Sequence, residues 1–156
     1  MTGLWSNPKS FAPAHINVRN RQRKIPVNVA DLQIFAGKAL RRCLQLRKRK
    51  PTDLDKLHEV FVWLISDPRM ASLHRKFMHQ TGSTDVLTFQ HGEIFISVET
   101  AKRHARAFGN SLTGELCLYI APGLLHLHGF DDHTQPGARR MKREQQKILR
   151  NCSRDR

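Results

Sequence analysis

Apolar side chains recur along most of the chain at the three- and four-residue spacing of an amphipathic helix. Asn28 is a good N-cap residue, and the apolar face that follows it continues through Leu44. Asp67-Pro68 supplies an N-cap and a proline suited to a first turn, and Gly82 ends the helix after it. Further helices are predicted over Val98–Phe108, Leu112–Leu127 and Pro136–Cys152.

Short runs rich in β-branched and aromatic residues predict strands. The run EVFVWLIS is expected to form a buried strand, and a short turn at His91-Gly92 joins the two runs after it. The predicted strands cover His15–Val18, Glu59–Ser66, Thr84–Phe89 and Glu93–Ser97. We therefore predict an α+β fold, with a small mixed sheet of about four strands packed with about five helices. A single domain over residues 1–156 is expected, with a basic and partly flexible segment at residues 1–24.

Length and apolar content place the chain among globular proteins. It has 156 residues, of which 39% are hydrophobic, and no apolar run approaches the roughly 18 residues that cross a bilayer. The first residues lack the layout of a signal peptide, so we expect a cytoplasmic protein with no membrane partner. Cys43, Cys117 and Cys152 form no CxxC pair, and we expect buried thiols and no disulfide-linked partner.

The charge is strongly positive and unevenly distributed. The formal net charge is +14, and residues 1–50 hold twelve Lys and Arg against one acidic residue. A cationic surface attracts polyanions and releases their counterions on binding, so nucleic acid is the natural partner. A solvated basic surface without a dedicated ligand is the alternative. The run Arg47, Lys48, Arg49, Lys50 is equally consistent with RNA contact and with an ordinary surface loop.

Two histidines on either side of a predicted helix end suggest a metal site. His126 lies near the end of the helix that Gly129 terminates, and His133 follows in the loop with Asp131 and Asp132. Neutral imidazoles and carboxylates are typical zinc ligands, and a catalytic zinc keeps one position open for water. The predicted metal site is therefore on a helix and the loop after it. The alternative from these residues alone is that His126 is an ordinary core histidine, hydrogen-bonded within the protein. His128 points away from His126 around the helix, so we expect it either at the surface or beside the metal ligands, where it would support them without binding the metal.

The segment PGLLHLHGFDDH, residues 122–133, resembles the signature HGxLHLxGxDH of the YbeY family of endoribonucleases that mature ribosomal RNA. Three further segments, SDPRMASLHRKFMHQTGSTDVLTF, GEIFIS and MKREQQKIL, resemble family motifs in the same order. The likeness covers roughly residues 55–150. It implies zinc-dependent cleavage of single-stranded ribosomal RNA and association with the small ribosomal subunit.

The departures from this signature concern the zinc ligands that the resemblance implies. Pro122 stands where the family has its first zinc-binding histidine, and the closing histidine comes one residue late, at His133. Proline cannot bind a metal, and inside a helix it forces a kink or a restart. His126 and His133 are then the predicted ligands of one zinc ion, with Asp132 a candidate third, and binding is expected to be weak. Asp131 could orient a histidine.

Other departures bear on catalysis and RNA binding. His74 replaces the usual Asn, and Met78 replaces an arginine thought to serve the active site. Arg75 or Lys76, one turn earlier, could substitute for that arginine. The candidate catalytic residues are therefore Arg75 and Asp132, and the candidate RNA-binding residues are Arg75, Lys76, Arg47, Lys48, Arg49 and Lys50. The predicted activity is that of a zinc-dependent endoribonuclease. A non-catalytic RNA- or ribosome-binding homologue, its metal site impaired by Pro122, is the alternative, and a zinc hydrolase with another substrate fits the charge poorly.

Overall fold

The computed structural model describes residues 14–78 and 85–153. Its strands are β1 (His15–Asn20), β2 (Glu59–Ile65), β3 (Val86–Phe89) and β4 (Glu93–Ser97). Its helices are α1 (Val29–Gln45), α2 (Asp53–Lys56), α3 (Asp67–Met78), α4 (Val98–Phe108), α5 (Leu112–Leu127) and α6 (Gln135–Ser153). The predicted α+β class is confirmed. Gly82 and Thr84, which enter two of the predicted elements, lie outside the described residues.

The strands form one mixed sheet in the order β1-β2-β4-β3. β1, β2 and β4 run parallel, and β3 pairs antiparallel with β4 through the short turn at Gly92. Because parallel neighbours need a crossover, α1 and α2 connect β1 to β2. β3 is consequently an edge strand, and it contacts α5.

The two faces of the sheet differ in what covers them. Val18, Val62, Leu64 and Ile94 point into the main core, which also holds the apolar faces of α1 and α5. The alternate residues Phe61 and Trp63 point to the opposite, outer face and remain partly exposed. The prediction that residues 59–66 form a buried strand is therefore right for one face and wrong for the other.

α5 is the central helix of the core. It is buried along most of its length and continues through Pro122 as one helix, so of the two expected effects of this proline, a kink or a restart, the restart does not occur. Pro122 cannot donate a hydrogen bond to the carbonyl of Leu118, which leaves the helix one backbone bond short. Gly123 allows the helix to approach the sheet, since a Cβ there would lie 2.9 Å from Ile94 Cδ1.

The first turn of α3 differs from the prediction. Ser66, not Asp67, precedes the helix, and its carbonyl accepts the hydrogen bond from the amide of Met70 at 2.9 Å. The carboxylate of Asp67 instead accepts hydrogen bonds from Ser97 and from Thr100. Asp67 therefore joins α3 to the junction of β4 and α4.

The three cysteines are buried, as predicted. Burial, followed by the nearby Cys152 and Glu144, raises the pKa of the Cys43 thiol to about 12. A thiol with so high a pKa is a poor nucleophile at neutral pH. Among the described residues, no helix combines the length and apolar character needed to cross a membrane.

Candidate functional site

His126 occupies the last turn of α5, and its side chain is exposed. Its Nδ1 lies 3.1 Å from the carbonyl oxygen of Phe130. Because a carbonyl oxygen only accepts, Nδ1 must carry the hydrogen, and in the neutral ring Nε2 then holds the lone pair. Nε2 is therefore the atom that could bind a metal ion or accept a proton.

The loop after α5 is held in a defined turn. Gly129 has φ of +82°, a left-handed conformation that suits glycine at a helix end. Asp131 Oδ1 accepts a hydrogen bond from the backbone amide of His133 at 3.1 Å, so this carboxylate shapes the loop. Thr134 then caps α6, because its Oγ1 accepts from the amide of Gly137 at 3.1 Å. His133 and Asp132 are exposed on this loop.

His128 is buried, so of the two roles expected for it, at the surface or in support of the metal ligands, the surface position is wrong. Its side chain is 1% exposed. Nε2 donates to the carbonyl of Leu46 at 2.7 Å, and Nδ1 lies 2.9 Å from the hydroxyl of Thr52. Leu46 and Thr52 flank the run 47–51, so His128 fixes both ends of this segment to the end of α5.

The segment that His128 holds contains the basic run identified in the sequence. We call Arg47, Lys48, Arg49 and Lys50 the basic loop. Lys48 Nζ lies 3.5 Å from the centre of the Phe130 ring. Burial and then the charge of Arg140 lower the pKa of Lys48, and Asp131 partly opposes this shift. The basic loop therefore lies beside the turn that carries His133.

A cavity of about 470 Å³ adjoins the same loop. Lys48, Arg49 and Lys50 line one part of it, and Asp55 and Lys56 of α2 line another. Cations predominate in its lining, so it is suited to an anionic ligand.

Arg75 and Lys76 are exposed near the end of α3, which packs against β4 and α4. The side chain of Met78 and residues 79–84 lie outside the described residues. The catalytic role of Arg75 and Asp132, and the RNA contacts of Arg75 and Lys76, stay predictions.

The donor set does not make a complete catalytic zinc site. Within residues 14–78 and 85–153, no three His, Cys, Asp or Glu side chains are grouped closely enough to hold a metal ion. Catalytic zinc usually has three protein ligands and an open position. Pro122 lies one turn before His126 on the same face of α5 and offers no donor atom. The side chains present thus do not fit a self-sufficient zinc centre.

Comparison with known proteins assigns the chain to a family. The family model described as Endoribonuclease YbeY matches residues 17–153. The chain belongs to the YbeY family. An Endoribonuclease YbeY from Anaeromyxobacter sp. (strain Fw109-5) is 35% identical over 102 residues, which are 59% of this chain and 53% of the relative. One from Thermus thermophilus is 36% identical, over 58% of this chain and 73% of the relative.

Two more relatives extend the likeness along the chain. The chloroplastic Endoribonuclease YBEY of Arabidopsis thaliana is 29% identical over 88% of this chain, which spans only 26% of that protein. The chain likewise spans about half the length of the Anaeromyxobacter relative. A Thermotoga maritima protein solved in solution shares the fold, with a TM-score of 0.63 and 24% identity over 88% of each chain.

Proposed function

We propose that this YbeY family member is an endoribonuclease that cleaves single-stranded RNA during maturation of ribosomal RNA. The observation that carries the proposal is the placement of the basic loop. His128 fixes the loop to the end of α5, where His126 and His133 are exposed. The cations of the basic loop are suited to contact RNA phosphates, and such contacts position a nucleic acid without specifying its sequence.

The proposed roles follow from the chemistry of each side chain. The basic loop holds RNA phosphates. In the zinc-free protein, Nε2 of His126 accepts a proton from the attacking oxygen as the bond from phosphorus to the leaving oxygen breaks. When zinc is bound, this nitrogen is a ligand and no longer accepts a proton. Arg75 offsets charge on the phosphate, and Asp132 orients a proton-transfer partner. Ribosomal RNA is the proposed substrate and the small ribosomal subunit a proposed partner, since the family resemblance implies both and the charge of +14 suits a polyanion.

Cleavage of a fluorogenic single-stranded RNA tests this function. Wild type should cut it, and His126→Ala should lower the rate by about a hundredfold or more. His15→Ala is the matched control, because His15 is also exposed but lies on β1. Equal rates for wild type and His126→Ala would remove His126 from the chemistry.

The second candidate function is RNA or ribosome binding without cleavage. Two observations favour it: Pro122 replaces a donor, and the described residues contain no cluster of three donors. Purified protein that binds RNA tightly but never cuts it, with zinc or with a chelator, would select this alternative.

Zinc binding is proposed to be weak, with His126 and His133 as ligands and Asp132 as a candidate third. Zinc should be lost on dialysis and should bind with low affinity in a calorimetric titration. Pro122→His would add an imidazole one turn before His126 and should tighten binding at least tenfold. Stoichiometric zinc retained by wild type through dialysis would contradict the proposal.

A further inference from the structure

The outer face of the sheet carries a cleft with aromatic walls. Arg21, Trp63, Ile65, Arg69, Glu93 and Phe95 line a volume of about 400 Å³, which we call the sheet cleft. Trp63 stacks on Phe61, with ring centres 5.2 Å apart and planes 11° apart. Trp63 Nε1 donates to Glu93 at 2.6 Å, which fixes the orientation of the indole. The cleft thus presents a rigid, partly exposed aromatic surface.

Cations surround this aromatic surface. The guanidinium carbon of Arg21 lies 5.3 Å from the centre of the Trp63 ring. Arg21 belongs to the basic residues 19–24, which begin in the last two residues of β1 and in which Arg19 and Arg23 are also exposed. Arg69 approaches the cleft from α3, so arginines line it on two sides.

We propose that the sheet cleft is a stacking site for one base of a single-stranded RNA, with Arg21 and Arg69 contacting the adjacent phosphates. An aromatic ring beside a positively charged groove is how single-strand binding proteins hold nucleic acid without sequence preference. The Arg21 guanidinium already lies over the indole ring, and such a cation–π contact is weak where water has access. A base can therefore displace it, and the released cation then lies close to the phosphate.

This site is separate from the one at the end of α5. α5 packs against the inner face through Gly123 and Ile94, whereas Trp63 and Phe95 point to the outer face. The inference rests on the proposed RNA substrate, but it concerns binding alone. It gives the basic residues 19–24 a role in RNA binding, although they take no part in the histidine site.

Trp63 fluorescence gives a direct test. The chain contains two tryptophans, Trp5 and Trp63, so the Trp5→Phe variant reports on Trp63 alone. A ten-nucleotide oligouridine, added in the presence of EDTA, should quench this fluorescence as it binds. In the full chain, Trp63→Ala should weaken binding of the labelled oligonucleotide about tenfold, and Trp63→Phe should weaken it less.

Phe108→Ala is the matched control, since Phe108 is 74% exposed on α4 and does not line the cleft. It should bind RNA like wild type. If Trp63→Ala does not fold, the quenching and Trp63→Phe still decide the question. Arg21→Gln should also weaken binding severalfold, whereas Arg143→Gln, at an exposed site on α6, should not.

The outcomes separate this inference from the proposed function. RNA that binds without quenching, and with unchanged affinity for the Trp63 variants, would overturn the stacking site and leave the nuclease proposal intact. Quenching with Trp63-dependent binding but no cleavage would support the stacking site and count against the nuclease. A wild-type protein that binds no RNA would overturn both.

Discussion

His126 and His128 are two residues apart, yet their environments are opposite. Successive helical residues turn by about 100°, so the two imidazoles leave α5 about 200° apart. One ring is exposed in the turn, and the other is 1% exposed against the chain around residues 46–52. The same residue type thus has a candidate chemical role at one position and a structural role at the other.

Replacing His128 by Phe should destabilise the protein. The ring would still fill its space, but the Leu46 carbonyl would lose its donor and the Thr52 hydroxyl a partner. An unsatisfied buried polar group costs about 1–3 kcal/mol, so the free energy of unfolding should fall by that amount in a urea titration. His133→Phe, at an exposed position, should change it by less than about 0.5 kcal/mol. Similar losses in the free energy of unfolding for the two variants would contradict the proposal that His128 holds the basic loop in place.

The sequence places both His126 and His128 near the glycine that ends α5, but this position does not tell which of the two is exposed. The partners of His128 are 76 and 82 residues away in the chain. No local spacing or helical periodicity carries information about contacts at that separation.

Pro122 weakens an otherwise favourable helix. Interior proline costs roughly 3 kcal/mol, partly offset because proline also restricts the unfolded chain by about 0.4–1 kcal/mol. Pro122→Ala should therefore raise the free energy of unfolding by about 2 kcal/mol, measured by thermal or urea unfolding.

Pro136→Ala is the matched control, because Pro136 lies in the first turn of α6, where proline is compatible. That control should be neutral or slightly less stable. A loss of stability in Pro122→Ala would show that α5 needs the proline ring for packing.

Asp67 joins three elements through a single carboxylate. Burial raises its pKa, but hydrogen bonds from Ser97, Thr100 and Arg103 outweigh this effect and lower it. Arg103 also forms an ion pair with Asp67 at 2.8 Å. Because the pKa is lowered on folding, the charged carboxylate stabilises the protein above the unfolded value of about 3.9, and this stability is lost as the pH falls through the folded value.

Asp67→Asn should therefore lower stability at pH 7 by about 2 kcal/mol. The difference from wild type should shrink as the pH falls below the unfolded value of about 3.9 and on through the lower folded value, where wild-type Asp67 also becomes neutral. Urea titrations at about pH 7 and about pH 3 measure this difference in the free energy of unfolding. Asp132→Asn, at an exposed position, is the control and should differ little from wild type at either pH. A difference independent of pH would show that the geometry of residue 67, not its charge, stabilises the junction.

The boundaries of the helices and strands could be predicted from local sequence signals, whereas the contacts between them could not. Val98–Phe108 and Leu112–Leu127 were predicted as observed, because Gly109 and the turn at Gly129 end them. α2 was missed because four residues contain no periodicity, although Thr52 and Asp55 form a capping box. The cleft at Trp63 was missed because a run of apolar residues does not tell which face of a strand a helix will cover.

Across the whole molecule, the two candidate RNA sites lie on opposite sides of the sheet. The basic loop is beside α5 on the inner side, and Arg21 is on the outer side. Both belong to the first 50 residues, which carry most of the excess positive charge. The excess positive charge of the first 50 residues is therefore divided in the fold between two basic surfaces, the basic loop and the sheet cleft.

RNA affinity should depend strongly on salt, and the basic loop should account for a definite part of that dependence. Each phosphate contact on a single strand contributes about 0.7 to the slope of log affinity against log salt concentration, because it releases a condensed counterion. The double variant Arg47→Gln, Lys50→Gln should lower this slope by about 1.4, measured by anisotropy of a labelled oligonucleotide between about 50 and 300 mM salt.

The control removes the same charge from α6, through Lys142→Gln and Arg143→Gln, at two exposed positions. Because these residues lie outside the proposed sites, the slope should stay close to that of wild type. An equal fall in both double variants would mean that RNA responds to the diffuse charge of the molecule, and that the basic loop is an ordinary solvated surface.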